Sequence, residues 1–154
     1  MTFEIKPYQK ENLPEVQLPD KEFLNVLGEE GIRKLVDNHY NLLRKSKINN
    51  LFPIDDKDFE QAKLNSSDFF IQIMGGPRYF DQNRGKPMLA VRHAAFKISP
   101  EARITWLECY RDVLKNLEME EINLASFWNY LNALSMRIVN SEDIKPEFIF
   151  KFNK

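Results

Sequence analysis

The sequence predicts a single, all-helical domain, and three observations support this fold class. The chain has 154 residues, which suits one sizeable hydrophobic core. Its apolar residues recur at spacings of three and four over several segments, as on one face of a helix. Only 5 glycines and 8 prolines interrupt the chain, and several of them fall between those periodic segments. We therefore expect helices joined by short loops.

The N-terminal third predicts an extended arm and two helices. Residues 1–19 contain three prolines and show no helical period, so they are expected to form the arm. Asp20 can cap a short helix that stops at Gly28. A second helix is expected from about Glu29 to Lys45, with His39 beside its apolar stripe. That stripe comprises Ile32, Leu35, Val36, Tyr40 and Leu43.

The middle of the chain predicts a bend and a third helix. Phe52 directly precedes a proline in the linker 46–56, which favours an extended conformation. A helix is expected from about Asp58 to Met74. Small residues interrupt large ones on its buried face, which comprises Phe59, Ala62, Ser66, Phe69, Phe70 and Ile73. This pattern fits either close helix packing or room for a flat ligand. The pair Gly75–Gly76 should end the helix, and residues 78–85 are expected to form a polar loop.

The C-terminal part predicts three more helices. Pro87 suits the first turn of a short helix running to about Ala95. Ser99 can cap the next helix, which should reach about Leu117. A last long helix is expected from about 123 to 140, followed by an apolar tail. The domain would thus cover residues 20–140, between the arm 1–19 and the tail 141–154.

Composition excludes several classes of function. The 22 basic and 23 acidic residues are interspersed, which argues against binding of nucleic acid by charge. No stretch reaches the roughly 20 apolar residues of a membrane span, and the first residues do not read as a signal peptide. The lone Cys109 cannot form an internal disulfide, so a cytoplasmic location is expected. Paired Cys or His motifs for a metal, phosphate-binding glycine loops and a serine nucleophile elbow are also missing.

Residues 75–110 carry the most specific signal in the sequence. They read Gly75-Gly76-Pro77-Arg78-Tyr79, Gly85-Lys86-Pro87-Met88-Leu89 and Arg92-His93-Ala94-Ala95-Phe96-Lys97-Ile98, followed by Arg103, Trp106-Leu107 and Cys109. In order and spacing, including the interval from His93 to Trp106, this region resembles group II of the truncated haemoglobins. The resemblance is recognisable over about 20–140. It implies a two-over-two helical sandwich, here with an N-terminal extension, that binds haem b.

The resemblance also implies roles for individual residues. His93 would be the proximal iron ligand. Tyr40 and Trp106 would lie on the distal side and stabilise a gas ligand, although without the motif both residues would be interpreted as ordinary core aromatics. Arg92 and Tyr79 would hold the haem propionates. The remaining residues implied to line the haem pocket are Phe52, Ala62, Ser66, Phe69, Phe70, Leu89 and Phe96.

The sequence departs from the family pattern at a few positions. His39 stands before Tyr40 where a phenylalanine is expected, Lys86 replaces a histidine and Ala95 replaces a proline. The bend between Tyr40 and Phe52 is one residue shorter than in close relatives. These departures leave open that His39 or Tyr40 occupies the sixth iron position when no gas is bound.

The function implied by the resemblance is reversible binding of O2, NO and CO, with oxygen transport, NO detoxification or peroxidase-like activity as alternatives. The redox activities would need an external electron donor, because no reductase domain is recognised. A monomer and a homodimer are both compatible with the sequence. A competing hypothesis is a haem-free helical module that relays signals through partner contacts.

Overall fold

The computed structural model describes residues 1–143, and its regular structure is entirely helical over that range, which confirms the predicted class. The six α-helices are α1 (Lys21–Arg44), α2 (Asp56–Ile73), α3 (Tyr79–Arg84), α4 (Leu89–Arg92), α5 (Pro100–Leu114) and α6 (Glu121–Ile138). A single 3₁₀ turn, Asn49–Leu51, precedes α2. Within the described range, each helix is too short or too polar to span a membrane.

Local sequence signals set several helix ends as expected. The Asp20 carboxylate accepts a hydrogen bond from the Glu22 amide at 2.9 Å, and the Ser99 hydroxyl accepts one from the Ala102 amide at 3.1 Å. At Gly28 the backbone adopts φ 70°, so the two helices predicted here join across a kink into α1. Side-chain caps therefore set where α1 and α5 begin, and Gly28 sets the kink within α1.

Two short segments differ from the prediction. Residues 78–85 do not form a loop: α3 lies there, because Phe80 is buried and Gln72 exchanges two hydrogen bonds with Asp81 at 2.9 Å each. The predicted helix from Pro87 to Ala95 is also wrong in extent. Met88 adopts a left-handed conformation (φ 41°) that separates Pro87 from the single turn of α4.

The core forms where α1 packs on α2 and α5, with α6 against α5 and α1. Aromatic rings meet at its centre, where Tyr110 and Phe70 both contact the ring of Phe127 edge-on. The fully buried residues around them include Phe23, Ile32, Val36, Ile71, Leu107, Leu114 and Leu131. This core leaves one side of α2 and α5 free to form a cavity.

The arm is irregular, as predicted, and its backbone is bonded to α5 and α6. The Trp128 indole donates to the Glu4 carbonyl at 2.8 Å, and Asn132 bonds to both Glu4 and Lys6. Phe3 packs edge-on against Trp128 with its centroid 5.4 Å away. The predicted apolar tail lies outside the described residues, apart from 141–143.

Arg103 joins the arm to the core of the domain. Its side chain is 2% exposed, and it donates to the Ser135 hydroxyl at 2.8 Å, to the Lys6 carbonyl at 2.7 Å and to Asn132 at 3.0–3.1 Å. Burial lowers the pKa of this guanidinium to about 10, so it stays charged at neutral pH. Hydrogen bonds to neutral oxygens compensate for the buried charge.

We predict that Arg103→Leu lowers the free energy of unfolding by about 2–3 kcal/mol, because the substitution leaves buried oxygens without donors. Arg137→Leu is the matched control: Arg137 also donates to an arm carbonyl, that of Pro14, but is exposed. Its loss should cost about 0.5 kcal/mol or less. Urea titration measures both values, and equal destabilisation would contradict the role of the buried network.

Candidate ligand cavity

A cavity of about 370 Å³ is lined by residues from each of the helices α1 to α6. This volume lies in the range of small-molecule and cofactor sites. Its walls are mainly aromatic and aliphatic, with a few polar side chains among them. The predicted site residues that line it are Tyr40, Phe52, Ala62, Ser66, Phe69, Phe70, Leu89, Arg92, His93, Phe96 and Trp106.

Tyr79 is the predicted site residue that does not line the cavity. At the start of α3 it turns toward α1, where its hydroxyl bonds to Glu29 and the Arg33 guanidinium lies 5.7 Å from its ring. The Glu29 carboxylate raises the pKa of Tyr79. Tyr79 therefore contacts acidic and basic groups of α1, away from the position expected of a propionate partner.

The small residues of α2 leave space for the cavity. Ala62 and Ser66 both face it and are only half-buried, whereas Phe59 on the same helix is buried. Had they served close helix packing, a neighbouring helix would cover them. The arrangement favours the alternative in which the small side chains give room to a flat ligand.

His93 presents one ring nitrogen for coordination. The residue caps the C-terminus of α4, and its Nδ1 donates to the Leu89 carbonyl at 2.6 Å. In the neutral ring this bond places the proton on Nδ1 and leaves the Nε2 lone pair free. Metal-ligating histidines adopt this tautomer when a carbonyl holds the other nitrogen. The donor set thus fits an axial ligand to an iron.

Arg92 binds the loop that leads into α4. Its Nε donates to the Pro87 carbonyl at 2.6 Å, and its Nη2 donates to the carbonyls of Arg84 and Lys86 at 2.7 and 2.9 Å. The guanidinium also lies 5.2 Å from the ring of Phe80. Nη1 remains for an anionic group of a ligand at the cavity rim, where the exposed Arg84 also lies.

Tyr40 and Trp106 bring two hydrogen-bond donors to the cavity wall. Burial raises the pKa of Tyr40, opposed in part by a hydrogen bond with the Ser66 side chain, so the phenol stays protonated. Phe52, extended before its proline as predicted, meets the Tyr40 ring edge-on at 5.5 Å. Among mainly apolar neighbours, these donors can recognise a small ligand with partial negative charge.

His39 is held firmly in the wall beside them. It is fully buried, its Nε2 donates to the Trp106 carbonyl at 3.0 Å, and its ring stacks on Tyr110 with centroids 3.4 Å apart. Burial lowers its pKa to about 3, so the ring is neutral. With Nε2 donating, the lone pair of the neutral ring lies on Nδ1, which is buried and has no partner among the described residues. His39 would therefore have to coordinate an iron through Nδ1 or break the bond to Trp106.

Sequence reasoning missed several polar residues of the cavity. Asn65, Arg84 and Ser135 line it, and so do Tyr110 and the buried Arg103. The Tyr110 hydroxyl is buried and has no partner among the described residues. Of these residues, only Arg103 belongs to the sequence motif of residues 75–110 that resembles the family. Cys109 lies outside this lining, and burial raises the pKa of its thiol to about 11.

Comparisons with known proteins identify the family of this chain. Residues 22–140 match the family described as bacterial-like globin. Group 2 truncated hemoglobin YjbI of Bacillus subtilis is 32% identical over 117 residues, which cover 76% of this chain and 87% of the relative. Group 2 truncated hemoglobin 3-1 of Lotus japonicus is 33% identical over 134 residues, 84% of this chain and 79% of the relative.

Solved structures show the same architecture. Phosphate-bound Hell's gate globin IV superposes with a TM-score of 0.80 at 34% identity, covering 90% of this chain and 91% of that one. The group II truncated hemoglobin of Bacillus anthracis gives a TM-score of 0.71 at 26% identity, covering 79% of this chain and 98% of that one.

The fold and the matches define this chain as a bacterial-like globin. Within that class it belongs to the group II truncated haemoglobins, and the predicted two-over-two helical fold is confirmed. Haem-based gas binding is the general function of this family.

We predict that His39 makes the protein less stable as pH falls below about 6.5. At pH values above the pKa of a histidine in the unfolded chain, His39 is neutral in both the folded and the unfolded protein. It then adds no pH dependence to the free energy of unfolding. Between about pH 6.5 and 3 the unfolded chain binds a proton that the folded chain excludes, so stability falls by up to about 1.4 kcal/mol per pH unit. Urea titrations from pH 7.5 to 4.5 should show a shallower slope for His39→Phe, and identical slopes would contradict a neutral His39.

Proposed function

We propose that the protein holds haem b in the cavity through His93 and binds diatomic gases reversibly beside Tyr40 and Trp106. The observation that carries this proposal is the His93 imidazole at the cavity, with Nδ1 bonded to the Leu89 carbonyl and Nε2 left to coordinate. The family supports haem binding in general, and this arrangement supplies the protein ligand.

The cavity wall offers contacts suited to each part of a haem. Aromatic and aliphatic side chains would pack against the two faces of the macrocycle. Arg92, through Nη1, and Arg84 at the rim would pair with the propionates. The side chains proposed to pack on the macrocycle are Phe69, Phe70, Phe80, Leu89 and Phe96.

When bound, haem would supply an iron that takes O2, NO or CO. The chain's own contribution is to hold two donors, the Tyr40 O–H and the Trp106 N–H, next to a bound gas. The His39 ring packs edge-on against the Trp106 indole with centroids 5.3 Å apart, and Phe52 packs edge-on against the Tyr40 ring, so aromatic contacts restrict both donors. Donors that need no rearrangement stabilise a polar ligand more strongly than mobile ones.

Reversible binding is the activity that these donors favour. NO detoxification or peroxidase-like turnover would consume electrons, so either would require an external electron donor. The competing hypothesis of a haem-free interaction module is disfavoured by the cavity. The haem content of the purified protein decides between the two hypotheses.

We predict that the purified protein shows an intense Soret band and that His93→Ala retains much less haem, because it lacks the axial ligand. His39→Phe is the matched control, since it removes the other histidine and should keep full haem content. Added imidazole should restore part of the spectrum of His93→Ala. A colourless wild-type protein would support the haem-free module, and an unchanged spectrum in His93→Ala would contradict His93 as the ligand.

We also predict that Trp106→Phe and Tyr40→Phe speed O2 release by roughly 10- to 150-fold, the equivalent of about 1.5–3 kcal/mol for a hydrogen bond to a charged acceptor. CO release should change less, because bound CO carries less charge. The double variant should fall short of the product of the single effects if both donors share one acceptor.

Stopped-flow release rates for the two gases test this prediction. Trp128→Phe is the matched control, because its N–H serves the Glu4 carbonyl outside the cavity. Equal effects on O2 and CO would show that Trp106 acts by packing, and the absence of an effect would remove it from the gas site.

A further inference from the structure

The segment that carries His93 has little secondary structure of its own. Helix α4 has four residues, and residues 93–96 continue as turns and a bend. A single helical turn is too short to be stable without tertiary contacts. The last carbonyls of α4 also need donors from elsewhere. The position of His93 must therefore be set by another part of the protein.

Asn140, just after α6, supplies those contacts. Its Nδ2 donates to the carbonyls of His93 and Phe96 at 3.2 and 2.8 Å, and its Oδ1 accepts from the Ile98 amide at 2.9 Å. The backbone amides of Asn140 and Ser141 both donate to the Ile98 carbonyl, at 2.9 and 3.1 Å. One residue thus bonds to both ends of the segment 93–98.

We propose that Asn140 is a positioning residue for His93: it fixes the backbone of the proximal segment and so sets how the imidazole meets the iron. The inference rests on the proposed function of His93. Two restraints then act on the ligand. The Leu89 carbonyl orients the ring through Nδ1, and Asn140 fixes the peptide group that follows the ring.

The contacts of Asn140 differ from those of an ordinary helix cap. A cap bonds to its own helix within a few residues, whereas Asn140 bonds to a segment more than 40 positions earlier. Ser141 completes the group by donating from its hydroxyl to Asn140 Oδ1 at 2.9 Å. These contacts fix the orientation of the amide, with Nδ2 toward two carbonyls and Oδ1 toward two donors.

The variants Asn140→Ala and Asn140→Asp test the donor and the acceptor of the Asn140 amide separately. The alanine removes every side-chain bond. The aspartate keeps an acceptor for the Ile98 amide but faces the carbonyls of His93 and Phe96 with a carboxylate. Asn129→Ala is the matched control, because Asn129 is exposed on the same helix, α6.

In the haem-loaded protein, both Asn140 variants should release haem to excess apomyoglobin roughly tenfold faster than the wild type and Asn129→Ala. The iron–histidine stretching band of the ferrous form, measured by resonance Raman spectroscopy, should shift or broaden in both. Amide exchange at Ile98 should speed up roughly tenfold in Asn140→Ala and much less in Asn140→Asp.

Specific results would overturn the inference. An iron–histidine band unchanged in both variants would show that Asn140 does not position His93, even if haem release were faster. An Asn140→Asp protein equal to the wild type would show that the bonds to the two carbonyls are dispensable. If Asn140→Ala does not fold, Asn140→Asp still tests the band. A wild type that binds no haem would contradict the proposed function instead, and Ile98 exchange would then test the Asn140 contacts separately.

Discussion

The space that α2 leaves beside α1 and α5 is the constraint on which the rest of the structure depends. Protein cores pack as densely as organic crystals, so a cavity of about 370 Å³ has to be built into the fold, here by small side chains such as Ala62 and Ser66. A ligand that binds in this cavity and not to the unfolded chain stabilises the fold by mass action. Occupation of the cavity and stability of the fold are therefore coupled.

Hydrogen bonds between distant segments hold together the structure around the cavity. Arg103 and Asn132 bond the arm to α5 and α6 behind the cavity, and Asn140 bonds the end of α6 to the segment after His93. His39 likewise joins α1 to the Trp106 carbonyl of α5. The site is thus held by polar contacts at its margins, while apolar contacts dominate the core next to it.

The sequence was sufficient to predict features that depend on local signals. The Asp20 and Ser99 caps, the break at Gly28 and the extended Phe52 each follow from chemistry within a few residues. The motif around His93 was sufficient to identify the family, and every site residue that the resemblance implied, except Tyr79, lines the cavity. Prediction failed where distant residues decide: α3 forms because Phe80 is buried and Gln72 bonds to Asp81.

The same reason explains the missed site residues. Tyr110 and Phe127 share an apolar periodicity with their helices, and the sequence holds no sign that one of them reaches the cavity. Tyr79 was placed by its motif alone, and its bond to Glu29 on α1 is a tertiary contact. Side-chain networks between helices have no period that sequence reasoning can detect.

The bonds from Arg92 to three carbonyls of residues 84–87 bear on how this exposed loop can evolve. Exposed loops usually tolerate insertions and deletions. Here one guanidinium contacts peptide oxygens at fixed intervals, so the loop's length is constrained, whereas the exposed Lys86 side chain takes no part in these bonds. Point substitutions at Lys86 leave the bonded atoms in place, whereas one added residue would displace them. Length variation among related sequences should therefore accumulate elsewhere, in the arm or between α5 and α6.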